Sequence, residues 1–293
     1  MTHPTPRARR RPATPRIRRR PASRPLASAL ALVFCLIWIF PVYWMVITAF
    51  KPRSEAMTPT PRFLPGTPTL HNFDVAINHT GFLGNLVNSL VVVGATVACA
   101  VVLGVLAAAA LSRFRFTGRR TIMVTILIVQ MLPGTALLIP TFLVFNELGL
   151  LGTYLGLVLA YVAVVLPFTI WVIRGFFAAV PVSVDEAARI DGASTWQLLT
   201  RILFPLVAPG VVAAGVFSFI AAWNDYLIAY TFLKDQDRYT LPIWLSTFTT
   251  PATGTDFGGQ MAGSVVFSLP VIAFFLLIQR KLVSGVSSGA VKG

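Results

Sequence analysis

Hydrophobic and polar positions in this 293-residue sequence alternate in long blocks. Six apolar blocks, several of them longer than about 18 residues, are separated by shorter polar or basic segments. Blocks of that length are typical of transmembrane helices, because a helix satisfies its own backbone polar groups inside a bilayer. We therefore predict an all-α membrane protein with six spans. Their approximate ranges are 26–50, 86–111, 121–145, 153–173, 206–232 and 261–278.

Two of the predicted spans carry further signals. The third contains Pro133, so we expect a kink there, because proline removes a backbone hydrogen bond. The second has small residues four positions apart, at Gly94 with Ala98 and at Gly104 with Ala108. This spacing predicts close contact with neighbouring helices.

The charge distribution predicts the orientation of the chain. The sequence is 56% apolar and 12% charged, with a formal net charge of +14, and nine arginines precede residue 25. Residues 1–25, 112–120, 174–205 and 279–293 together contain 19 Lys and Arg residues, whereas the opposite side contains 5. Because Lys and Arg are enriched in cytoplasmic loops, we predict that both termini are cytoplasmic. Basic residues that flank apolar blocks do not indicate a nucleic-acid groove.

The same pattern divides the chain into three parts. Residues 1–25 are rich in Arg and Pro and have little to bury, so we predict a disordered basic tail beside anionic lipid headgroups. Residues 26–283 form the six-span domain, and residues 284–293 form a cytoplasmic C-terminal tail.

The segment 181–205, between the fourth and fifth spans, is predicted to form two short helices. Ser183 and Glu186 have the spacing of a capping box, in which two side chains satisfy the first backbone N–H groups of a helix. Ser194 and Gln197 repeat that spacing. Each pair therefore predicts the start of a helix.

Gly192 is predicted to end the first of these helices, because glycine adopts the left-handed conformation that terminates helices at little cost. Pro205 marks a kink or the start of the next span. In the second helix, Trp196, Leu199 and Leu203 share one face. That face either packs against the protein's own span ends or contacts a partner.

The residues Glu186-Ala187-Ala188, then Gly192, then Ile202-Leu203-Phe204-Pro205 resemble the EAA loop of bacterial ABC-importer permeases. The family pattern ends in I-x-L-P, and this chain has I-L-F-P, which keeps the proline. Within the family, the sequence resembles the G-type subunit of maltose permeases in the carbohydrate-uptake branch. The resemblance implies that the loop contains a coupling helix, which sits in a groove on a cytoplasmic ATP-binding subunit. By that resemblance, the ATPase-coupling residues are Glu186, Ala187, Ala188, Asp191, Gly192, Trp196 and Pro205.

Two further segments resemble sugar permeases. Asn224 and Asp225 follow Trp223, and Asp225 is the only acidic residue predicted well inside a span. These two residues either line the translocation path or an outer gate, or Asp225 is an interfacial side chain that reaches water. The C-terminal tail, with Gly289 and Lys292, resembles the maltose-permease tail that reaches the ATPase dimer interface.

Catalytic chemistry is not indicated. The sequence lacks the G-x-x-x-x-G-K-S/T phosphate-binding loop, so ATP hydrolysis is expected on a separate subunit. The three histidines lack metal-site spacing, and both cysteines lie inside apolar blocks. We therefore expect no catalytic residue, no metal and no cofactor in this chain.

The resemblance also implies a set of partners in the bacterial inner membrane. These are a second, F-type permease, an ATP-binding subunit dimer and an extracytoplasmic solute-binding protein. An ion-gradient-driven secondary transporter is the main alternative, and it would require charged relay residues deep in the membrane. A membrane assembly factor without transport is a third hypothesis. The sequence does not distinguish sugars, polyols and glycerol phosphate as substrates.

Overall fold

The computed structural model describes residues 24–79, 81–250 and 254–289, which are mostly helical. The helices are α1 Arg24–Ala49, α2 Arg53–Ala56, α3 His71–Asn78, α4 Phe82–Arg113, α5 Arg119–Met131, α6 Gly134–Glu147, α7 Tyr154–Ala179, α8 Val182–Ile190, α9 Thr195–Gln197, α10 Phe204–Trp223, α11 Leu227–Phe232, α12 Leu241–Ser246 and α13 Phe257–Gly289. Strands β1 (Thr249–Thr250) and β2 (Gly254–Thr255) pair antiparallel. Of the predicted basic tail, residues 1–23 lie outside the described residues.

The described residues divide into two units, one ending at Trp44 and the other beginning at Met45. In the first unit, α1 exposes its apolar side chains all round, and Trp38 is 79% exposed. A helix that is apolar on every face is typical of a membrane span. The second unit contains the last five residues of α1, from Met45 to Ala49, and all the other described helices.

Five described helical segments are long and apolar enough to cross a membrane: residues 27–49, 82–113, 154–179, 195–223 and 257–279. The predicted third span is instead two helices, α5 and α6, that meet at an angle of 105°. Leu132 is extended (ψ 131°) because the residue before Pro133 is restricted away from helical geometry. The predicted kink is therefore a complete break, and a sixth span is present only if this bent pair crosses as one.

The fifth span differs from the prediction at both ends. Its helix begins at Thr195, passes through a π-helical segment at residues 198–203 and continues through α10. Pro205 is tolerated because it lies in the first turn of α10, after the π-helical segment. The second loop helix is thus continuous with the span rather than short. The predicted end at residue 232 is also wrong, because the helix stops at Trp223 and α11 is separate.

The core of the second unit is built on α4, α7 and α10, which pack against one another. Gly104 in α4 is buried, and a Cβ atom there would lie 2.6 Å from Thr169 Cγ2 in α7. The Thr169 hydroxyl is in turn 3.0 Å from the Ser218 hydroxyl in α10. The predicted close contact at Gly104 is therefore confirmed. Gly94 is exposed, and a Cβ there would meet nothing within 4 Å among the described residues.

Candidate functional site

Helix α8 begins two residues earlier than the predicted capping box requires. Its N-cap is Pro181 (φ −59°, ψ 143°), and no side chain caps it. Ser183 consequently lies inside the first turn, where its hydroxyl is not placed to accept from the N-terminal N–H groups. The predicted capping box of Ser183 and Glu186 is therefore wrong, although a helix does form there.

Helix α8 ends at Gly192 in a Schellman motif. Gly192 has φ +79°, in the left-handed region. Its N–H donates to the Arg189 carbonyl at 3.1 Å, and the Ala193 N–H donates to the Ala188 carbonyl at 2.9 Å. These two bonds satisfy carbonyls that the end of a helix would leave unpaired. The predicted helix break at Gly192 is confirmed.

The second capping box is present in full. The Ser194 hydroxyl accepts from the Gln197 N–H at 3.3 Å, and the Gln197 side-chain oxygen accepts from the Ser194 N–H at 2.9 Å. Only Ala193 lies between this cap and Gly192. The corner between α8 and α9 is therefore held by backbone and capping bonds on both sides.

This corner has several solvent-exposed residues. Among the residues assigned to coupling by resemblance, those exposed are Glu186, Ala187, Asp191, Gly192, Trp196 and Pro205, whereas Ala188 is buried. Ile190 is 85% exposed and Trp196 is 69% exposed. Ile190 was not singled out by the sequence motif, although an isolated isoleucine between Arg189 and Asp191 in a polar loop is a detectable signal.

The predicted shared face of the second helix is not present. Trp196 is exposed, Leu199 is partly buried and Leu203 is fully buried. The π-helical segment widens the turn after Gln197, so the 3.6-residue spacing no longer applies across it. Trp196 therefore projects away from the apolar cluster that contains Leu203.

An ion pair that the sequence analysis missed attaches α8 to α4. Asp185 Oδ2 lies 3.3 Å from Arg113 Nε, and the two side chains are only 11% and 9% exposed. Arg113 Nη2 also donates to the Val180 carbonyl at 3.0 Å. Asp185 and Ala188 are the buried residues of α8, so these two positions join the helix to the rest of the protein.

Asp225 does not lie inside a span, contrary to the sequence-based expectation. It occupies the break between α10 and α11, where its Oδ1 accepts from the N–H groups of Ile228 and Ala229, each at 3.1 Å. The hydroxyl of Tyr161 in α7 donates to the same oxygen at 3.0 Å. Asp225 thus caps α11 through Oδ1 and ties the break to a neighbouring helix.

Asn224, by contrast, is exposed and lines a cavity of about 320 Å³. Its Nδ2 donates to the Ile220 carbonyl at 2.8 Å. The other lining residues are Tyr226, Pro242, Leu245, Ser246, Gln260 and Phe267. Asn224 and Asp225 are therefore adjacent in sequence but have different surroundings.

We expect Asp225→Leu to lower the thermal stability of the purified chain. The change leaves the Ile228 and Ala229 N–H groups without their acceptor, and an unsatisfied buried group costs about 1–3 kcal/mol. Asp225→Asn keeps an acceptor oxygen, so its unfolding midpoint should be closer to that of the unchanged protein. Tyr161→Phe removes one bond and should cost about 0.5–1.5 kcal/mol. The unfolding midpoint in detergent measures these effects, and an unchanged midpoint for Asp225→Leu contradicts the capping role.

The remaining predicted site residues are at the C-terminus. Gly289 is the last residue of α13, so the helix continues into the predicted tail, while Lys292 lies outside the described residues. Within residues 24–79, 81–250 and 254–289, no three His, Cys, Asp or Glu side chains cluster as metal ligands would.

Comparisons with known proteins agree with this architecture. Residues 100–288 match the family described as binding-protein-dependent transport system inner membrane component. The chain is 38% identical over 255 residues to the diacetylchitobiose uptake system permease protein DasC of Streptomyces coelicolor, covering 87% of this chain and 92% of DasC. It is 35% identical over 256 residues to the trehalose transport system permease protein SugB of Mycobacterium tuberculosis, covering 87% of this chain and 93% of SugB.

A solved structure has the same fold. It is a bacterial ABC transporter involved in the import of the acidic polysaccharide alginate, and one of its chains superposes with a TM-score of 0.78 at 22% identity, over 91% of this chain and 99% of that one. The family match covers more than half of the sequence, and the two relatives match most of it. The chain therefore belongs to the family of binding-protein-dependent transport system inner membrane components.

Proposed function

We propose that this chain is the transmembrane permease subunit of an ATP-driven importer whose substrate is a disaccharide or oligosaccharide. The relatives DasC and SugB are named for the uptake of diacetylchitobiose and trehalose, and each is covered over nine-tenths of its length. ATP is hydrolysed by a separate subunit, because members of this family are membrane components of the transporter.

The coupling site in this proposal is the α8–α9 corner. The observation that carries it is the exposure of Ile190 and Trp196 beside Glu186, on a corner whose backbone is held by a Schellman motif and a capping box. Large apolar side chains left in water at a rigid corner favour burial in a partner's groove. The acidic side chains of Glu186 and Asp191 are exposed on the same corner and would face basic groups on an ATP-binding subunit.

The orientation follows from the basic residues. The segments assigned to the inside hold 19 Lys and Arg residues against 5 outside, which supports cytoplasmic termini and a cytoplasmic α8–α9 corner. An ATP-binding dimer would then bind this corner, a solute-binding protein would bind the opposite face, and a second permease would complete the passage. Closure of the ATP-binding dimer would push α8 and move the spans between inward-open and outward-open states.

The outer part of the passage is proposed at the α10–α11 break. Asn224 would face the passage, since it lines the cavity of about 320 Å³, while Asp225 fixes the break against Tyr161. The tail, with Gly289 and Lys292, would reach the ATP-binding subunits. A secondary transporter is disfavoured, because the Asp225 carboxylate is already bonded within the protein and the chain belongs to a binding-protein-dependent family.

Co-purification of the ATP-binding subunit tests this function. The chain is co-expressed with its partner permease and ATP-binding subunit, and Ile190→Asp is compared with the unchanged protein. A charge in the centre of an apolar contact should reduce the captured ATP-binding subunit about tenfold or more. The partner permease should remain bound, since Ile190 is 85% exposed on the corner and away from the helix core.

Leu148→Asp is the matched control, because Leu148 is 64% exposed and lies at the other end of the spans in the proposed orientation. It should leave capture of the ATP-binding subunit unchanged. Full capture with Ile190→Asp, or equal loss with both variants, overturns the assignment of the corner as the ATP-binding subunit's contact.

A further inference from the structure

Helix α4 is the only one of the five described membrane-length helices that contains no proline. The other four contain Pro41, Pro167, Pro209 and Pro270. Proline removes a backbone hydrogen bond and bends a helix, so α4 alone keeps an uninterrupted ladder. Its 32 residues span about 48 Å at 1.5 Å per residue. It therefore joins the two faces of the protein as one stiff element.

The inner end of α4 holds helix α8. Arg113, in the last turn of α4, forms the buried ion pair with Asp185 and donates to the Val180 carbonyl at the end of α7. A cation at a helix C-terminus and an anion in the first turn of a helix are both favoured by the helix dipoles. The other buried residue of α8, Ala188, contributes only a methyl group. The ion pair is thus the polar attachment of α8 to α4.

The outer end of α4 holds the segment that precedes α12 and the first residue of α12. Asn88 Nδ2 donates to the carbonyls of Asp237 at 2.8 Å and Tyr239 at 3.0 Å. The Ser89 hydroxyl accepts from the Leu241 N–H at 2.7 Å. These bonds fix residues 237–241 to the first turns of the helix whose last turn carries Arg113.

We propose that Arg113 and Asp185 are positioning residues that lock α8 to α4, so that α4 carries the displacement of α8 to residues 237–241 on the outer face. This inference rests on the proposed function, in which the ATP-binding subunit moves α8. Without the ion pair, α8 would shift on its small Ala188 contact and leave α4 in place. The outer face would then no longer respond to the nucleotide state inside.

The test measures the outer face while the nucleotide state is set inside. The complete transporter is assembled in lipid nanodiscs, with Cys35 and Cys99 replaced by serine and with Gln236→Cys as the exposed reporter. The rate of maleimide labelling at position 236 is measured without nucleotide and after trapping with ATP and vanadate. In the protein that keeps Arg113 and Asp185, the labelling rate should differ about fivefold or more between the two nucleotide states.

Asp185→Ala should retain vanadate trapping but abolish the change in labelling rate. Exchanging the charges, with Arg113→Asp and Asp185→Arg together, should restore only part of the change, because it remakes the ion pair against both helix dipoles and without the bond to the Val180 carbonyl. Arg115→Gln is the control, because Arg115 is exposed in the same basic turn and should respond as the unchanged protein does. Asn88→Ala, at the opposite end of α4, should also lose the response while trapping stays normal.

A full labelling response in Asp185→Ala or in Asn88→Ala overturns the proposal, as does the absence of any response in the unchanged protein. If Asp185→Ala fails to assemble, Asn88→Ala decides, because its change lies far from the ATP-binding subunit. Failure of the proposed function would look different. In that case the Ile190→Asp variant would still co-purify with the normal amount of the ATP-binding subunit, regardless of the labelling rate at position 236.

Discussion

Gly192→Val should leave the permease in the membrane with its partner and uncouple ATP hydrolysis from uptake. Gly192 has φ +79°, and a side chain in the left-handed region costs about 1–2 kcal/mol, with β-branched residues disfavoured further. A Cβ at position 192 would meet nothing within 4 Å among the described residues, so the strain lies in the backbone alone. Relieving it requires the Schellman turn to open, which moves α8 relative to α9.

Three substitutions at this position separate conformation from bulk. The coupling of ATP hydrolysis to uptake in Gly192→Ala should be intermediate between that of the unchanged protein and that of Gly192→Val. In Gly192→Asn the coupling should stay near that of the unchanged protein, because asparagine tolerates the left-handed region. The measurements are ATP hydrolysis stimulated by the solute-binding protein and uptake of the radiolabelled sugar which that binding protein binds, in reconstituted vesicles. Both activities at the unchanged level in Gly192→Val would make the corner a passive connector.

Gly104→Val should strongly destabilise the helix core. A Cβ at position 104 would lie 2.6 Å from Thr169 Cγ2 and 3.4 Å from Ile173 Cδ1. Thr169 cannot rotate away freely, because its hydroxyl bonds the Val165 carbonyl at 2.9 Å and lies 3.0 Å from the Ser218 hydroxyl. Overpacking of this kind costs about 1–3 kcal/mol, and loss of the buried hydroxyl bonds would add to it.

Gly94→Val is the matched control in the same helix, since a Cβ at position 94 has open space. Thermal unfolding in detergent is followed by the amount of monodisperse protein that remains. The unfolding midpoint should fall strongly for Gly104→Val and change little for Gly94→Val. Equal midpoints for the two valine variants would contradict the close packing of α4 on α7.

The features that were predictable from the sequence are those encoded by neighbouring residues. Apolar block length locates the membrane helices, and the spacing of Ser194 with Gln197 and the position of Gly192 give the cap and the break that the structure contains. The Ser183 box failed because the helix starts two residues earlier, which moves Ser183 out of the N-cap position. Pro181, with its fixed φ, already provides the helix start.

Features that depend on tertiary contacts were not predictable. Arg113 is one of four arginines in the basic segment 112–120, and nothing local distinguishes it from Arg115. Its pairing with Asp185 depends on how α4, α7 and α8 meet. Asp225 was placed inside a span for a similar reason, since the block 206–232 is apolar on both sides of Asn224 and Asp225. Its helix breaks at this point, and the carboxylate accepts from α11 and Tyr161.

The central claim is that the exposed face of the α8–α9 corner lies against an ATP-binding subunit. A photo-crosslinking amino acid placed at Ile190 in the assembled transporter tests it directly, and the same amino acid at the exposed residue Leu83, near the outer end of α4, serves as the reference. We expect position 190 to give a covalent product with the ATP-binding subunit and position 83 to give none. A transporter that hydrolyses ATP normally but yields no such product from position 190 would contradict the account.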